Sequence, residues 1–267
     1  MKFVLFDMDG TLTEPRKKIS TKMARELINL TKITNVYIVT GSGYDYIEEQ
    51  CSRLWDSIDA TNTGNLILMP CNGTLVYKWM SGSYKKVYDI SMRSEITVKK
   101  YEQLVRTLIR VQSNALNHFK FPLTGNFISY RGSMINYCPI GRDASNHERE
   151  KFKKLDKQFS IRKKLINNID ILMKQAELDG VITRALGGST SIDIYPKGWD
   201  KTYALKHLQV ENCYFIGDKC IDDGNDRQIY EKVKELGLGS FIVNNPQDTI
   251  KVIKNNIIPK LGEVQNG

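Results

Sequence analysis

Short apolar runs alternate with amphipathic stretches at both ends of this chain, and the middle abandons that rhythm. KFVLFD, STKMARELINLTK, NVYIVTGS, DYIEEQCSRLW and NLILMP follow one another at the start; KTYALKHL, NCYFIGD, NDRQIYEKVKELG, SFIVNN and PQDTIKVIKNNII lie toward the end. A strand that is apolar on both faces must be covered on both. Alternation with helical patterns therefore predicts a parallel sheet with crossover helices, here one α/β core built from both chain ends.

Between these blocks VKKYEQLVRTLIRVQSNALNHF reads as a long helix, with Tyr101, Leu104, Val105, Leu108 and Ile109 spaced to make one apolar face. NFISY and SMINYCPI follow as paired strands around Arg131-Gly132, then two helical stretches, then GVITRAL and TSIDIYP as further strands. The expected fold class is α/β: a Rossmann-like parallel-sheet core over residues 1–82 and 197–267, with an inserted α+β cap of antiparallel sheet and helices over residues 83–196. Turn-forming residues at Ser81-Gly82-Ser83 and Pro196-Lys197-Gly198 mark the expected crossings and suit linkers that hinge.

Composition bounds the function classes. At 267 residues there is length for two cores, and no apolar run approaches the ~20 residues of a membrane-spanning helix. Met1-Lys2-Phe3-Val4 enters a strand rather than a leader peptide, so a cytoplasmic location and no membrane partner are expected. Five scattered cysteines without a CxxC pair read as reduced thiols. The net charge of +9 admits nucleic acid, an anionic surface or a phosphorylated small molecule, and does not choose among them.

The chemically useful residues fall at the carboxyl ends of strands, where open α/β sheets bind ligands. FDMDGTLT ends the first strand in Asp7 and Asp9, alternate residues whose carboxylates share a face and repel unless a cation, a phosphate or a shared proton intervenes. NVYIVTGS delivers the hydroxyls of Thr40 and Ser42, GWDKTYAL delivers Lys201, and GDKCIDDGND delivers Asp218 and then Asp222, Asp223, Asn225 and Asp226. Asp7, Asp9 and Asp218 form an acidic cluster suited to Mg²⁺. Such an ion commonly partners a phosphoryl group. One carboxylate attacks phosphorus, its neighbour moves a proton, and Lys201, Thr40 and Ser42 address the phosphate oxygens.

In that order, DxDGT, a hydroxyl motif, a lysine and GDxxxxxGND resemble the haloacid dehalogenase superfamily of phosphoryl-transfer enzymes, and the insert resembles its C2b type of cap. FISYRGSMINYCPIGRDASNHER brings Arg131, Arg142 and Arg149 close together in the insert, Arg16 follows the first motif, and Ser191 and Asp193 share one face of TSIDIYP. Arginine's planar fork suits phosphate. RGSMINYCPIGR, GWDKTYAL and FDMDGTLTEPRKKI resemble the matching segments of the eukaryotic-type phosphomannomutases.

This resemblance implies that Asp7 is a nucleophile, that Asp9 is a general acid/base, and that Asp218 binds Mg²⁺ together with Asp7 and the Asp9 backbone. It implies phosphosugar binding by Arg16, Arg131, Arg142, Arg149, Ser191 and Asp193, activation by a hexose 1,6-bisphosphate, and a homodimer formed through the cap. Three features depart from the family: TGS for its GGS, Lys232 where it has an acidic ligand of a second cation, and Cys71 for its glutamate before Asn-Gly.

The reaction so implied interconverts mannose 6-phosphate and mannose 1-phosphate, with glucose phosphates as further candidates, and supplies mannose 1-phosphate for GDP-mannose synthesis. The alternative within the superfamily is a Mg²⁺-dependent sugar-phosphate phosphatase. A mutase must hold a phosphate at each end of its substrate, and four arginines favour it. A nucleic-acid partner, prompted by EREKFKKLDKQFSIRKK, is not expected, because acids interleave with its lysines as on a solvated helix face.

Overall fold

The computed structural model describes residues 2–55 and 63–262. Their strands run in chain order as β1 (Phe3–Phe6), β2 (Asn35–Val39), β3 (Leu66–Met69), β4 (Leu75–Met80), β5 (Ser83–Asp89), β6 (Ile128–Tyr130), β7 (Ile135–Tyr137), β8 (Ile182–Gly187), β9 (Ser191–Pro196), β10 (Cys213–Gly217) and β11 (Gly239–Ile242). The chain divides into two compact units, Met1–Asp89 with Asp200–Gly267, and Ile90–Trp199.

In the first unit the sheet order is β11-β10-β1-β2-β3-β4-β5. It is parallel from β11 to β3, and Phe6 of β1 stands in register with Ile38 of β2 and Ile216 of β10. The two chain ends therefore meet at the centre of one sheet. Alternate residues feed two cores. Val4, Phe6, Ile38, Leu68 and Ile216 pack with Leu27 and Leu30 of the Thr21–Thr31 helix, and Leu5, Val39, Ile67 and Phe215 pack with Ile229 and Val233 of the Arg227–Leu236 helix. The first of these helices starts where Ser20 Oγ accepts the Met23 amide at 3.2 Å, a side-chain cap worth about 1 kcal/mol.

Ser81-Gly82 is a hairpin turn and not a domain crossing. Both residues have positive φ, 50° and 83°, which matches the right-handed twist of the antiparallel β4–β5 pair. The expected border at Ser83 thus moves to Asp89, and the second moves from Lys197 to Asp200. The core sheet is mixed, with an antiparallel edge that the apolar rhythm does not reveal.

The second unit holds an antiparallel sheet of order β6-β7-β9-β8. Ile135, Ile192 and Ile194 are buried, as are Leu104, Leu108, Val111 and Ala115 of the Val98–His118 helix and Leu165, Ile169 and Met173 of the Ile161–Gln175 helix. Those two helices pack on each other. Ile109, expected on the apolar face, is 57% exposed, because the buried stripe follows 104, 108, 111 and 115. A capping box of Ser145 and Glu148 opens the Asn146–Phe159 helix.

The helical stretch KTYALKHL is a 3₁₀ helix over Lys201–His207, and Gly73 lies against it. Gly73 has φ +86°, and a Cβ there would sit 2.6 Å from Ala204 Cα. Gly73→Ala is expected to destabilise the protein by about 2–4 kcal/mol through positive φ and backbone overlap, read as a lowered midpoint in urea unfolding.

Candidate active site

Asp7 continues β1, its amide donating to Ile216 O at 2.9 Å, and its side chain is almost wholly buried. Lys201 Nζ donates to Asp7 Oδ1 and to Asp226 Oδ1, and Lys201 is 1% exposed. The other Asp226 oxygen accepts the Lys219 amide at 3.1 Å, which folds the Asp218–Asp226 loop back over the end of β10. Asp7, Asp218 and Asp226 each bring an oxygen within 4.8 Å of the others.

Asp9 is not among these three, whereas the expected cluster was Asp7, Asp9 and Asp218. The chain bends directly after β1: Gly10 N donates to Thr13 O at 2.7 Å and Thr13 N to Met8 O at 2.9 Å. The Asp9 carboxylate is turned to Tyr46, whose Oη donates to Oδ1 at 2.9 Å, and to the Arg16 amide, which donates to the same oxygen at 3.2 Å. The bend depends on Gly10, at φ +92°, where a Cβ would meet Asp218 Oδ2 at 2.2 Å.

Three carboxylates share two ammonium groups, Lys201 between Asp7 and Asp226 and Lys219 Nζ 3.4 Å from Asp218 Oδ2, which leaves one negative charge in excess. Burial, and next the Asp226 charge, push the Asp7 carboxyl up to about 7 from an ordinary 3.8, although Lys201 opposes the rise. Burial likewise raises Asp218. Burial alone would lower Lys201, but Asp226 and Asp7 outweigh it and hold the ammonium protonated. Asp218 Oδ1 is buried with no hydrogen-bond partner among the described residues. An all-oxygen donor set with excess charge and an unpartnered oxygen fits a hard divalent cation such as Mg²⁺.

Thr40 Oγ1 accepts the Ser42 amide at 3.1 Å and Thr40 is buried, while Ser42 is partly exposed. The loop after β3 is tied to the same turn, with Asn72 N donating to Thr40 O and Cys71 N to Ser42 O. Cys71, one of the departures from the family, is buried at φ 49°; Lys232 is exposed on its helix.

Within the second unit a polar network covers one face of β7 and β9. Asn136 stands opposite Asp193 in register. Its Nδ2 donates to Ser191 Oγ at 2.9 Å and to Asp193 Oδ1 at 2.5 Å, and Arg142 Nη1 donates to Asn136 Oδ1 at 3.1 Å. Burial, and next the nearby Arg131, lower the Arg142 pKa. Arg149 is buried, and its guanidinium donates to Ala144 O, Thr190 Oγ1 and Arg142 O at 2.9, 2.8 and 2.6 Å. It braces the Arg142 segment. Sequence reasoning missed Thr190 and Tyr46, which lie in no quoted motif, passed over Asn136 inside RGSMINYCPIGR, and named Asp226 without a role.

A mixed sheet with acids at the ends of β1 and β10, interrupted by an α+β unit, is a haloacid dehalogenase-like fold. Plasmodium falciparum IMP-nucleotidase superposes with a TM-score of 0.68 at 16% identity, covering 97% of this chain and 69% of that one. A trehalose-6-phosphate phosphatase related protein superposes with a TM-score of 0.58 at 17% identity, covering 99% of this chain and 100% of that one. Identities this low speak to the fold. The sequence profile described as eukaryotic phosphomannomutase matches residues 23–259, and the chain belongs to that family. It is 35% identical over 263 residues to the phosphomannomutase of Encephalitozoon cuniculi, covering 97% of this chain and 94% of the relative. With those of Dendrobium officinale and Schizosaccharomyces pombe it shares 34% and 33% identity, covering 96% and 94% of this chain and 94% and 92% of the relatives.

A carboxyl with a raised pKa keeps a proton in the fold that the unfolded chain has lost, so it lowers stability as pH rises between the two values. With a chelator present, Tm is expected to fall as pH rises from 4 to 7, the window between the ordinary and raised values of Asp7. Added Mg²⁺ should offset that fall, and Asp7→Asn should flatten it.

Proposed function

We propose that this chain interconverts mannose 6-phosphate and mannose 1-phosphate through an aspartyl-phosphate on Asp7 and a hexose 1,6-bisphosphate. The observation that carries the reading is the pair of constellations suited to phosphate: Asp7 with Lys201 in the core, and Arg142 with Arg149 against the polar face of β7 and β9 in the insert. Family membership supports it. So does the charge: the insert holds 19 lysines and arginines against 10 acids, whereas the core holds 20 against 20.

In this mechanism a hexose 1,6-bisphosphate first gives one phosphate to Asp7. A hexose monophosphate then binds by its phosphate to Arg131 and Arg142, with Arg16, Ser191 and Asp193 engaging the sugar and Arg149 bracing Arg142. The free hydroxyl of the sugar attacks phosphorus on Asp7, and Asp9 takes the hydroxyl proton as the Asp7 oxygen leaves. The bisphosphate turns end for end, its other phosphate passes to Asp7, and Asp9 returns the proton to the departing sugar oxygen. Lys201 keeps its charge throughout and neutralises the oxygens in transit. Thr40 and Ser42 supply hydroxyl donors to the phosphate oxygens on Asp7.

Asp7, Asp218 and the Asp9 backbone would hold Mg²⁺, with Asp226 beside them. When bound, the ion offsets the charge on the transferring phosphoryl group. The reading extends to a cytoplasmic homodimer formed through the insert, supplying mannose 1-phosphate for GDP-mannose synthesis. No helix among the described residues is long and apolar enough to cross a membrane.

Purified protein given mannose 1-phosphate, Mg²⁺ and a trace of hexose 1,6-bisphosphate is expected to form mannose 6-phosphate. Release of inorganic phosphate and free mannose instead would replace this reading with the phosphatase. Asp7→Ala should abolish turnover. Arg142→Ala should raise KM at least tenfold, the worth of a charge-assisted hydrogen bond to phosphate, in steady-state assays of the isomerisation.

A further inference from the structure

After the bend that follows β1, the Asp9 carboxylate bonds the first turn of the Tyr44–Gln50 helix, and Asp9 is not one of the three acids whose oxygens lie within 4.8 Å of one another. Tyr46 Oη and the Arg16 amide both donate to Asp9 Oδ1, at 2.9 and 3.2 Å. That oxygen is doubly occupied. Oδ2 accepts no hydrogen bond from the described residues.

Tyr46 is well placed to hold it still. Its ring is partly buried against the core cluster that contains Ile47, Cys51 and Leu54, so the hydroxyl is carried on a packed support. The helix that bears it starts at Tyr44, directly after the Thr40-Gly41-Ser42-Gly43 turn. The phenol O–H is the donor of this bond, since the carboxylate oxygen can only accept. Arg16, whose amide shares the oxygen, has φ 62°, a left-handed conformation rare for a side-chain-bearing residue, so the bond to Asp9 also helps hold that turn.

We propose that Tyr46 is a positioning residue for proton transfer, anchoring Asp9 Oδ1 so that Oδ2 carries the proton to and from the sugar oxygen. The role rests on the reading of Asp9 as the acid/base group. In the forward step the bond between phosphorus and the sugar oxygen breaks, a bond from phosphorus to an Asp7 oxygen forms, and the proton on Asp9 Oδ2 passes to the sugar oxygen. In the reverse step the sugar hydroxyl returns it. An unanchored aspartate rotates about two torsions and spends part of its time misaligned, whereas a pinned one presents the same oxygen at every encounter.

The leaving group separates positioning from general damage. A nitrophenolate departs without a proton, whereas a sugar alkoxide needs one. Rapid-quench measurement of Asp7 phosphorylation by hexose 1,6-bisphosphate and by p-nitrophenyl phosphate gives a ratio of sugar to aryl rates. In Tyr46→Phe that ratio is expected to drop roughly tenfold with KM changed less than twofold. In Asp9→Asn it should drop further, and adding Tyr46→Phe to Asp9→Asn should do nothing more. A ratio that stays at the wild-type value in Tyr46→Phe, with both rates unchanged or lowered together, would overturn the proposal, as would an additive double variant. Wild-type protein that takes phosphate from the aryl donor and not from the bisphosphate would refute the mutase reading alone. The mannose 1-phosphate to aryl hydrolysis ratio then tests Tyr46 by the same criterion.

Discussion

One buried ammonium, Lys201 Nζ, held between the carboxylates of Asp7 and Asp226, is the contact on which the core site depends. A buried ion without partners costs several kcal/mol, so none of the three charges is tolerable there alone. They come from three distant places: the end of β1, the 3₁₀ helix that follows Asp200, and the loop after β10. Parallel pairing of β1 with β10 brings the two acids to one edge of the sheet, and the close approach of Gly73 to Ala204 seats the helix that carries the lysine. Sheet topology and site charge therefore stabilise each other.

The insert handles charge in the opposite sense. All of the chain's net +9 falls within it, and Arg131 and Arg142 are close enough that one depresses the other. Such crowding persists because Asn136 and Asp193 accept or donate around Arg142 and because Arg149 fills its hydrogen bonds with backbone and Thr190. A bound phosphate would relieve the same repulsion. The core has unmatched acids suited to a cation, and the insert has crowded guanidinium groups suited to an anion.

The strand ends were legible because apolar runs stop at chemically distinct residues: FDMDG, VTGS and FIGD each mark one. The antiparallel sheet of the insert was legible from its alternation. Asp226 lay in plain view in GDKCIDDGND, but its pairing with Lys201 follows from a loop folding back, which no local pattern records. Strand alternation groups Asp9 with Asp7, but β1 ends at Phe6 and the chain bends at Met8, so Asp226 and not Asp9 completes the group of three acids. Ser81-Gly82 was read as a linker because hairpin turns and linkers share small residues. Positive φ at both positions separates the two.

The sequence by itself determined the fold class, the order of strand ends and which residue types reach them, because periodicity and turn chemistry are local properties. It also contained the family likeness, carried by DMDGT, RGSMINYCPIGR and GWDKTYAL. Only the tertiary structure decided which acids meet: Asp7 with Asp218 and Asp226, and Asp9 with Tyr46. Those pairings join residues as far apart as Asp7 and Asp226. They are set by strand order, by a glycine-dependent bend and by the cost of leaving a buried charge alone, all of which belong to the folded chain and to no segment of it.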